Sequence, residues 1–451
     1  MSFMMAFGWA SIMLCIGMLF RARVSVLRNM LVPASVIAGM IGLVFMNIVA
    51  GANIEIGTDT EMYASVVNHL FTVSFISISL TSTPKGGQNS AQSVMKGAVS
   101  MGLVWCLLYS LTPLIATGVL YSLRGFTDML PGYGMLIQFA FCQGPGQSAS
   151  FGAIFEQYGW NDAAMVAITF ASIGFIAAFL VGIPAAKMGI RRGIAQNCGK
   201  IDHAILKGYF LKSEQTEYMV KDTTCNSNIE TLAFHFALIG LCYILAVGIG
   251  RLLSYIPGFL GSSMSSMMFM NGMYAAYIVK WIMNKLHLDF LQENVLQSKI
   301  TGWTADYLVV CAFMAISVKT ISRWLIPIMI VVIVITAVTF VICFYFGQRI
   351  GGKNDFERTL GLYGTCTGTV PSGIALVRIV DPDFRTTTGV ELGAMNLVML
   401  ACTPVYILIL AYASGSLTMG LTVLGLMLCT VVYFVILKVT KSWGKKSYSW
   451  K

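Results

Sequence analysis

Long apolar segments constrain this chain more than any other feature of its sequence. Hydrophobic residues fill 57% of the 451 positions and charged residues only 11%. A soluble domain is typically about 25% charged. About eleven segments approach the roughly 20 apolar residues that span a bilayer. The predicted spans are approximately 3–20, 31–50, 63–81, 97–121, 163–187, 232–254, 264–284, 302–321, 324–346, 388–412 and 415–437. The predicted fold class is therefore an all-α integral membrane protein.

Two further apolar segments, 134–158 and 358–380, are interrupted by glycine, proline and small polar residues. The first break runs over residues 142–148 and the second over residues 364–372. In lipid, backbone N–H and C=O groups need internal partners, so such breaks imply backbone that faces a cavity or an ion. A pair of breaks at matching places in two halves points to the binding site of a secondary transporter.

The distribution of lysine and arginine predicts the topology, because basic loops stay on the cytoplasmic side. Arg21 and Arg23 place the first loop inside, and the six basic residues of loop 188–231 place that loop inside too. Both loops can lie inside only if segment 134–158 enters and leaves on the outer side as a re-entrant hairpin. Segment 358–380 then enters from the inner side. The N-terminus is predicted outside and the C-terminus in the cytoplasm, in the inner (plasma) membrane.

This topology predicts two inverted five-helix repeats, each with a re-entrant hairpin, plus one extra C-terminal helix. The predicted divisions are a first repeat at 1–187, a cytoplasmic linker at 188–231, a second repeat at 232–412, and an added helix with a basic tail at 413–451.

The tips of both hairpins carry candidate binding residues. Helix N-termini there suit an anionic group, while unwound carbonyls suit Na⁺ or H⁺. Small hydroxyl and amide side chains can coordinate a hard cation or hydrogen-bond a carboxylate. The candidates are Gln143, Gln147, Ser148, Ser150, Thr365, Thr367, Thr369 and Ser372.

Charged and hydroxyl residues within the spans are further candidates, because charge at membrane depth is functional by default. Arg378 is the predicted contact for a substrate carboxylate, since its planar fork can make two bonds. Glu391 is the predicted coupling group. Ser74, Ser77 and Thr81 share one helical face. The predicted cavity-lining residues are Ser74, Ser77, Thr81, Lys319 and Glu391.

The sequence carries no motif for catalysis, cofactors or metals. No nucleotide-binding loop, dinucleotide fingerprint, zinc-protease or hydrolase element occurs, and the four histidines lack ligand spacing. The eleven cysteines form no C-x-x-C pair and are predicted to be free thiols. The prediction is a carrier, not an enzyme, without cofactor or metal and driven by an ion gradient or by the substrate's own gradient. Its partners are a small anionic substrate and the lipid bilayer, with a possible homodimer and no nucleic acid.

The two interrupted segments resemble the pore loops of the bacterial glutamate:sodium symporters. Residues 144–146 with 156–159 and 165–167 resemble the first loop, which has a Gly-rich turn, an acidic residue before Tyr-Gly, and a long small-residue span. Residues 364–368 with 370–372 resemble the second, a Gly-rich loop followed by proline and a hydroxyl residue. The resemblance covers about residues 5–412.

The resemblance implies Na⁺-coupled uptake of glutamate, with Na⁺ as the coupling ion. It extends the binding role to Gly144, Gly146 and Gly368, alongside Gln147, Ser148, Thr367, Thr369 and Ser372. Pro145 stands where the family usually has histidine, and the second loop is richer in threonine. These departures keep a second carrier function open, for another organic anion such as a di- or hydroxycarboxylate. A non-coupled channel is a third alternative, which paired hairpins favour less than alternating access.

Overall fold

The computed structural model of the chain describes residues 2–25, 27, 32–81, 88–195, 222–225, 227–257, 261, 264–265, 267–352, 354–381 and 385–449, without the side chains of 88–93, 396 and 397. Much of the predicted linker 188–231 lies outside this set. The α-helices are α1 Ser2–Arg23, α2 Ala34–Gly51, α3 Thr60–Leu80, α4 Gln88–Ser122, α5 Ile137–Phe141, α6 Pro145–Gln157, α7 Ala163–Arg191, α8 Thr231–Ser254, α9 Met268–Lys285, α10 Asn294–Met314, α11 Val318–Ile321, α12 Leu325–Gly347, α13 Asp355–Thr367, α14 Val370–Val380, α15 Thr388–Ala394, α16 Thr403–Ala413 and α17 Met419–Val439. Short 3₁₀ turns are Pro131–Leu136, Asp289–Leu291, Ser322–Trp324 and Met395–Cys402. The described residues contain no strand, so the predicted all-α class is confirmed.

Eight described helices are long and apolar enough to cross a membrane: α1, α2, α3, α4, α7, α8, the stretch containing α11 and α12, and α17. The bent pair of α15 with Val398–Ala413 makes a ninth if it counts as one span. Two predicted spans, 264–284 and 302–321, correspond to α9 and α10, which are long enough but carry more polar residues. The second prediction also misplaced a boundary. Ser317 caps a separate short helix, α11, by accepting a hydrogen bond from Thr320 N at 3.4 Å, so α10 ends at Met314.

Side-chain caps explain where several helices begin. The carboxylate of Asp59 accepts a hydrogen bond from Met62 N at 2.7 Å at the start of α3. Glu230 accepts from Ala233 N at 2.9 Å at the start of α8. Each cap satisfies one of the N–H groups that the first helical turn leaves without an intrahelical partner. The start of each of these helices is therefore determined locally, by the residue that immediately precedes it.

The helices pack as two bodies. Helices α1, α2, α3, α8, α9 and α10 pack on one another and form what we call the scaffold body. Helices α4–α7 and α12–α17, together with the 3₁₀ turns beside them, form the hairpin body. The two bodies meet mainly where α3 and α10 touch α6 and α7.

Each body draws on both halves of the sequence. The scaffold body takes three helices from residues 1–187 and three from the second half, and the hairpin body takes α4–α7 from the first half, α12–α16 from the second and α17 beyond it. Each half contains a broken pair of short helices before its last span, α5 with α6 in the first half and α13 with α14 in the second. Neither half of the chain therefore packs as a separate unit.

Candidate functional site

The first interrupted segment folds as a hairpin of two short helices, which we call hairpin 1 (residues 137–157). Phe139 on α5 stacks on Phe151 of α6, with ring centroids 3.7 Å apart and planes 10° apart. Gly144, between the arms, has a φ of +81°, a left-handed conformation that favours glycine. Pro145 follows at the start of α6, where its missing N–H removes no helical hydrogen bond. The Gly-Pro pair therefore makes the turn.

The second interrupted segment also folds as a hairpin, which we call hairpin 2 (residues 355–380). Its arms, α13 and α14, pack closely because glycines face each other. A Cβ atom on Gly364 would lie 2.8 Å from the Cα of Gly373, closer than real atoms approach. The backbone breaks at Gly368 and Thr369, and Pro371 stands in the first turn of α14.

The tips of the two hairpins touch. A Cβ atom on Gly144 would overlap the side-chain methyl of Thr369 and lie 3.0 Å from the carbonyl oxygen of Gly368. Cys142 and Cys366, one from each tip, are both buried. The sequence-based expectation that the tips approach each other therefore agrees with the packing.

Two long helices hold the tips at mid-height in the hairpin body. Trp105, near the middle of α4, donates a hydrogen bond from Nε1 to the carbonyl oxygen of Cys142 at 2.9 Å. Gly174, near the middle of α7, is so close to hairpin 2 that an added Cβ would lie 2.7 Å from the Thr367 carbonyl oxygen. Because α4 and α7 are both span-length helices, the tips lie near the centre of their length.

Helix termini of opposite sign converge at the tips. Helices α6 and α14 both begin there, so each presents N–H groups without intrahelical partners and a partial positive charge. Helix α13 ends there, and its last carbonyls carry partial negative charge. The backbone of this junction can therefore attract an anionic group and a cation side by side.

The polar residues of hairpin 1 are buried and mostly bonded. Gln147 accepts a hydrogen bond from Tyr109 Oη at 2.8 Å and donates one to Tyr406 Oη at 3.1 Å. Gln143 donates to the sulfur of Met399 at 3.1 Å. Gln147 is thus clamped by two tyrosines that the sequence reasoning did not single out. In a sequence, a tyrosine that hydrogen-bonds a site residue looks the same as an aromatic residue that only packs inside an apolar span.

Two serines complete the first hairpin. Ser148 Oγ donates to the carbonyl oxygen of Gly144 at 3.0 Å, which caps the turn. Ser150 Oγ donates its proton to Asn68 Oδ1 at 2.5 Å and lies 3.1 Å from Gly146 O. Because Asn68 belongs to α3, Ser150 links hairpin 1 to the scaffold body.

The threonines of hairpin 2 divide into two groups. Thr365 and Thr367 donate to the carbonyl oxygens of Gly361 and Tyr363 at 2.8 and 2.7 Å, within their own helix. For the hydroxyls of Thr369 and Ser372, the described part of the chain provides no hydrogen-bond partner. Thr369 and Ser372 are therefore the tip hydroxyls best placed to meet a ligand.

Arg378 lies away from the tips. It is exposed and stands eight residues beyond Val370, about 12 Å along α14. The arginine that the fold buries in hairpin 2 is Arg358, on the first turn of α13, which the sequence analysis did not select. Its position at the very start of the interrupted segment was the available signal.

Glu391 binds that buried arginine. Its two carboxylate oxygens accept hydrogen bonds from Arg358 Nε and one terminal nitrogen, each at 2.7 Å. Thr387 Oγ1 donates to the same carboxylate at 2.7 Å, and Asp355 lies 3.2 Å from the guanidinium. Glu391 is fully buried in this pair, far along the chain from either tip.

The remaining predicted cavity residues lie elsewhere. Ser77 hydrogen-bonds Gln297 and Thr301 of α10, and the carbonyl oxygen of Thr81 accepts from Lys280 Nζ of α9 at 2.9 Å. The Ser77 side chain therefore faces the scaffold body's interior rather than the tips, and the Thr81 hydroxyl bonds the carbonyl oxygen of Ser77 within its own helix. Ser74 is buried on the same helix, and Lys319 is exposed on the short helix α11.

An aromatic cluster covers hairpin 1 from the scaffold side. Phe71 lies against the backbone of Gly146 so tightly that a Cβ there would overlap its ring. Phe75 and Phe269 pack on Phe71 with centroids 4.6 and 5.1 Å away. On the other side, Tyr406 stacks on Phe151 at 5.3 Å. The sequence analysis also missed Asp306, an exposed acidic residue of α10 within the predicted span 302–321.

The model of the sodium/glutamate symporter family matches residues 1–386, which include both hairpins to the end of α14. The chain belongs to the sodium/glutamate symporter family. No curated protein matches it.

Membership of this family establishes what the protein does. The protein is a multi-pass membrane protein and a secondary transporter that carries glutamate by sodium-coupled symport. The resemblance read from the two interrupted segments is thereby confirmed. Among the residues that the structure describes, no group of three histidine, cysteine or acidic side chains could hold a metal ion. Sodium is the coupling ion of this family.

Proposed function

We propose that the touching tips of the two hairpins form the site where glutamate and Na⁺ bind. The contact of Gly144 with Thr369, at the junction of two helix N-termini, carries this proposal. It is supported by the hydroxyls of Thr369 and Ser372, which face no described partner. It is also supported by Gln147, because two tyrosines fix its amide and so reduce the entropy lost on binding.

The proposed site is neutral in its side chains, and this gives a reason for coupling. The predicted tip residues are Gln, Gly, Ser and Thr. Burying an isolated carboxylate in such surroundings is costly, and so is burying an isolated cation. Bound together, a glutamate anion and at least one Na⁺ offset each other's charge. Each ligand then binds better in the presence of the other, as symport requires.

Transport needs the site to face the two sides of the membrane in turn. We propose that the hairpin body moves relative to the scaffold body along the surface between α3 and α6. That surface is largely aromatic, with Phe71, Phe75 and Phe269 on one side, and the Asn68–Ser150 hydrogen bond crosses it. We also propose that residues 1–187 and 232–412 form two inverted repeats. The protein is then a carrier without a catalytic step, and it assembles as a homodimer.

The tip hydroxyls test this site. In proteoliposomes with an inward Na⁺ gradient, Thr369→Val and Ser372→Ala should each raise the KM for glutamate. Loss of a hydrogen bond to a charged group costs about 1.5–3 kcal/mol, roughly 10- to 150-fold in affinity. Thr365→Val is the matched control, because that hydroxyl already bonds its own helix. Equal effects of all three variants would contradict the assignment, and preferred uptake of citrate or malate would favour the alternative carrier function.

Cys225 tests the proposed orientation. It is exposed in the loop before α8, and its Sγ lies 3.0 Å from Ser227 Oγ. This hydrogen bond lowers the pKa of the Cys225 thiol, so more thiolate is present at neutral pH. In a single-cysteine variant, a membrane-impermeant maleimide should label Cys225 in inside-out vesicles and not in intact cells. Ser227→Ala should slow the reaction without changing the side. Labelling from outside would overturn the proposed topology.

A further inference from the structure

The chain does not end at its last helix but folds back over the hairpin body. We call residues 442–448 the C-terminal strap; they lie beyond the residues that match the family model. Trp443 packs on Phe434 of α17 and Phe346 of α12, with ring centroids 4.8 and 5.5 Å away. Ser442 accepts a hydrogen bond from Ser100 of α4 at 2.9 Å. The strap is therefore anchored on three helices at its start.

Backbone hydrogen bonds carry the strap toward hairpin 2. Gly444 N donates to the carbonyl oxygen of Arg349 at 2.7 Å. Ser447 donates from both its N and its Oγ to the carbonyl oxygen of Gln348, at 2.9 and 3.0 Å. The carbonyl groups of Gln348 and Arg349 directly follow the last turn of α12, and the helix itself supplies no N–H group to bond them. The strap therefore completes the end of α12 and runs toward the start of α13.

Tyr448 brings the strap onto α13. Its hydroxyl donates to Thr359 Oγ1 at 2.8 Å, and its ring packs edge-on against Phe356 at 5.4 Å. Thr359 in turn donates to the carbonyl oxygen of Asp355 at 2.6 Å. Because α13 begins at Asp355, this chain of contacts ends on the first turns of the inbound arm of hairpin 2.

The two arms of hairpin 2 are held unequally. Every residue of α13 is buried, and Arg358 adds a buried ion pair with Glu391 of α15. The outbound arm, α14, leaves Pro371 and Arg378 exposed. Helix α14 packs mainly on α7, α13 and α15.

We propose that Tyr448 is a positioning residue for transport: through the strap it holds α13 in place, so that hairpin 2 opens by movement of α14 alone. This inference rests on the proposed function, in which hairpin 2 forms part of the binding site. It also gives a role to α17, the helix that lies outside the two predicted repeats. Helix α17 carries the strap across the membrane to the end of the hairpin body where α13 begins.

Cys366, on the last turn of α13, reports whether α13 is held. In a single-cysteine variant retaining Cys366, we compare the rate of N-ethylmaleimide labelling for Tyr448→Ala, Tyr448→Phe and a chain ending at Lys441. We expect Tyr448→Phe to raise the rate about fivefold, which corresponds to one net hydrogen bond of about 1 kcal/mol. Tyr448→Ala should raise it further, because the ring contact with Phe356 is lost as well. A chain ending at Ser449 keeps every contact described for the strap and should label like the full-length protein.

Transport kinetics give the second readout. Tyr448→Ala should raise the KM for glutamate more than it lowers the maximal rate, with Tyr448→Phe intermediate. A folded Tyr448→Ala protein with an unchanged labelling rate would overturn the proposal, whatever the truncated chain does. The labelling is measured without ligand, so it tests the strap independently of the binding site. If Na⁺ and glutamate fail to protect Cys366 while the strap variants still label faster, the proposed site fails and the strap inference stands.

Discussion

Arg358→Met is expected to lower the free energy of unfolding by about 3–5 kcal/mol, because it leaves Glu391 as an unpaired charge in the interior. Glu391 is fully buried, and this guanidinium is the cation that donates to both of its oxygens. Thermal melting of the purified protein in detergent measures the loss. Glu391→Leu should also lower the free energy of unfolding, since it leaves the buried arginine with Asp355 as its remaining charge partner.

The double variant Arg358→Met/Glu391→Leu provides the internal control. Replacing a buried ion pair by apolar residues of similar volume is often neutral or stabilising, so the double variant should melt above either single variant. Arg378→Met is the matched arginine control on the neighbouring helix; it is exposed, and we expect little change in melting. The same variant tests the sequence-based prediction that Arg378 contacts substrate, because a normal KM for glutamate would remove it from the site. A double variant no more stable than the singles would contradict the stranded-charge explanation.

Gly146→Ala is expected to suppress transport strongly. The added methyl group would overlap the ring of Phe71, which belongs to the other body. Overpacking of this kind costs about 1–3 kcal/mol, and each 1.4 kcal/mol corresponds to about tenfold in an equilibrium constant. The cost falls on the state in which hairpin 1 lies against α3. Initial rates of Na⁺-driven glutamate uptake, normalised to protein in the vesicle, measure the effect.

A second-site change distinguishes a clash between bodies from damage within the hairpin. Phe71→Ala removes the ring that the new methyl group meets, so Gly146→Ala/Phe71→Ala should transport better than Gly146→Ala alone. Gly118→Ala serves as the glycine control, because a Cβ at Gly118 meets nothing within 4 Å. If Phe71→Ala gives no rescue, the glycine is required for another reason, such as close approach of its backbone to substrate.

Local signals in the sequence predicted the elements that local physics determines. Gly144 with Pro145, and Gly368 with Pro371, mark turns whose backbone conformation depends on those residues themselves. The hairpins were predictable for that reason. Residues 264–284 and 302–321 were recognised as helices even though their polar residues weaken the apolar signal.

Contacts between distant segments could not be predicted in the same way. Arg358 and Glu391 are both visible in the sequence, but nothing local says that they pair rather than bind substrate. Ser77 lies on a hydroxyl-rich helical face, yet only the packing of α3 on α10 decides that this face meets Gln297. The tyrosine clamp on Gln147 depends on two spans that approach the tip from opposite halves of the chain. A single sequence carries no record of such approaches.

The interleaving of the two halves has a consequence for biosynthesis. Membrane spans leave the ribosome and enter the bilayer in order, from the N-terminus onward. The serine face of α3 therefore stays uncovered until α10 has been synthesised. Gln147 lacks its Tyr406 partner until 259 further residues have been added. Because contacts so distant in sequence form late and slowly, the first half must persist in the bilayer with polar groups exposed to lipid or to its insertion machinery. Polar groups that are buried in the finished protein therefore make the partly synthesised chain more prone to misfolding.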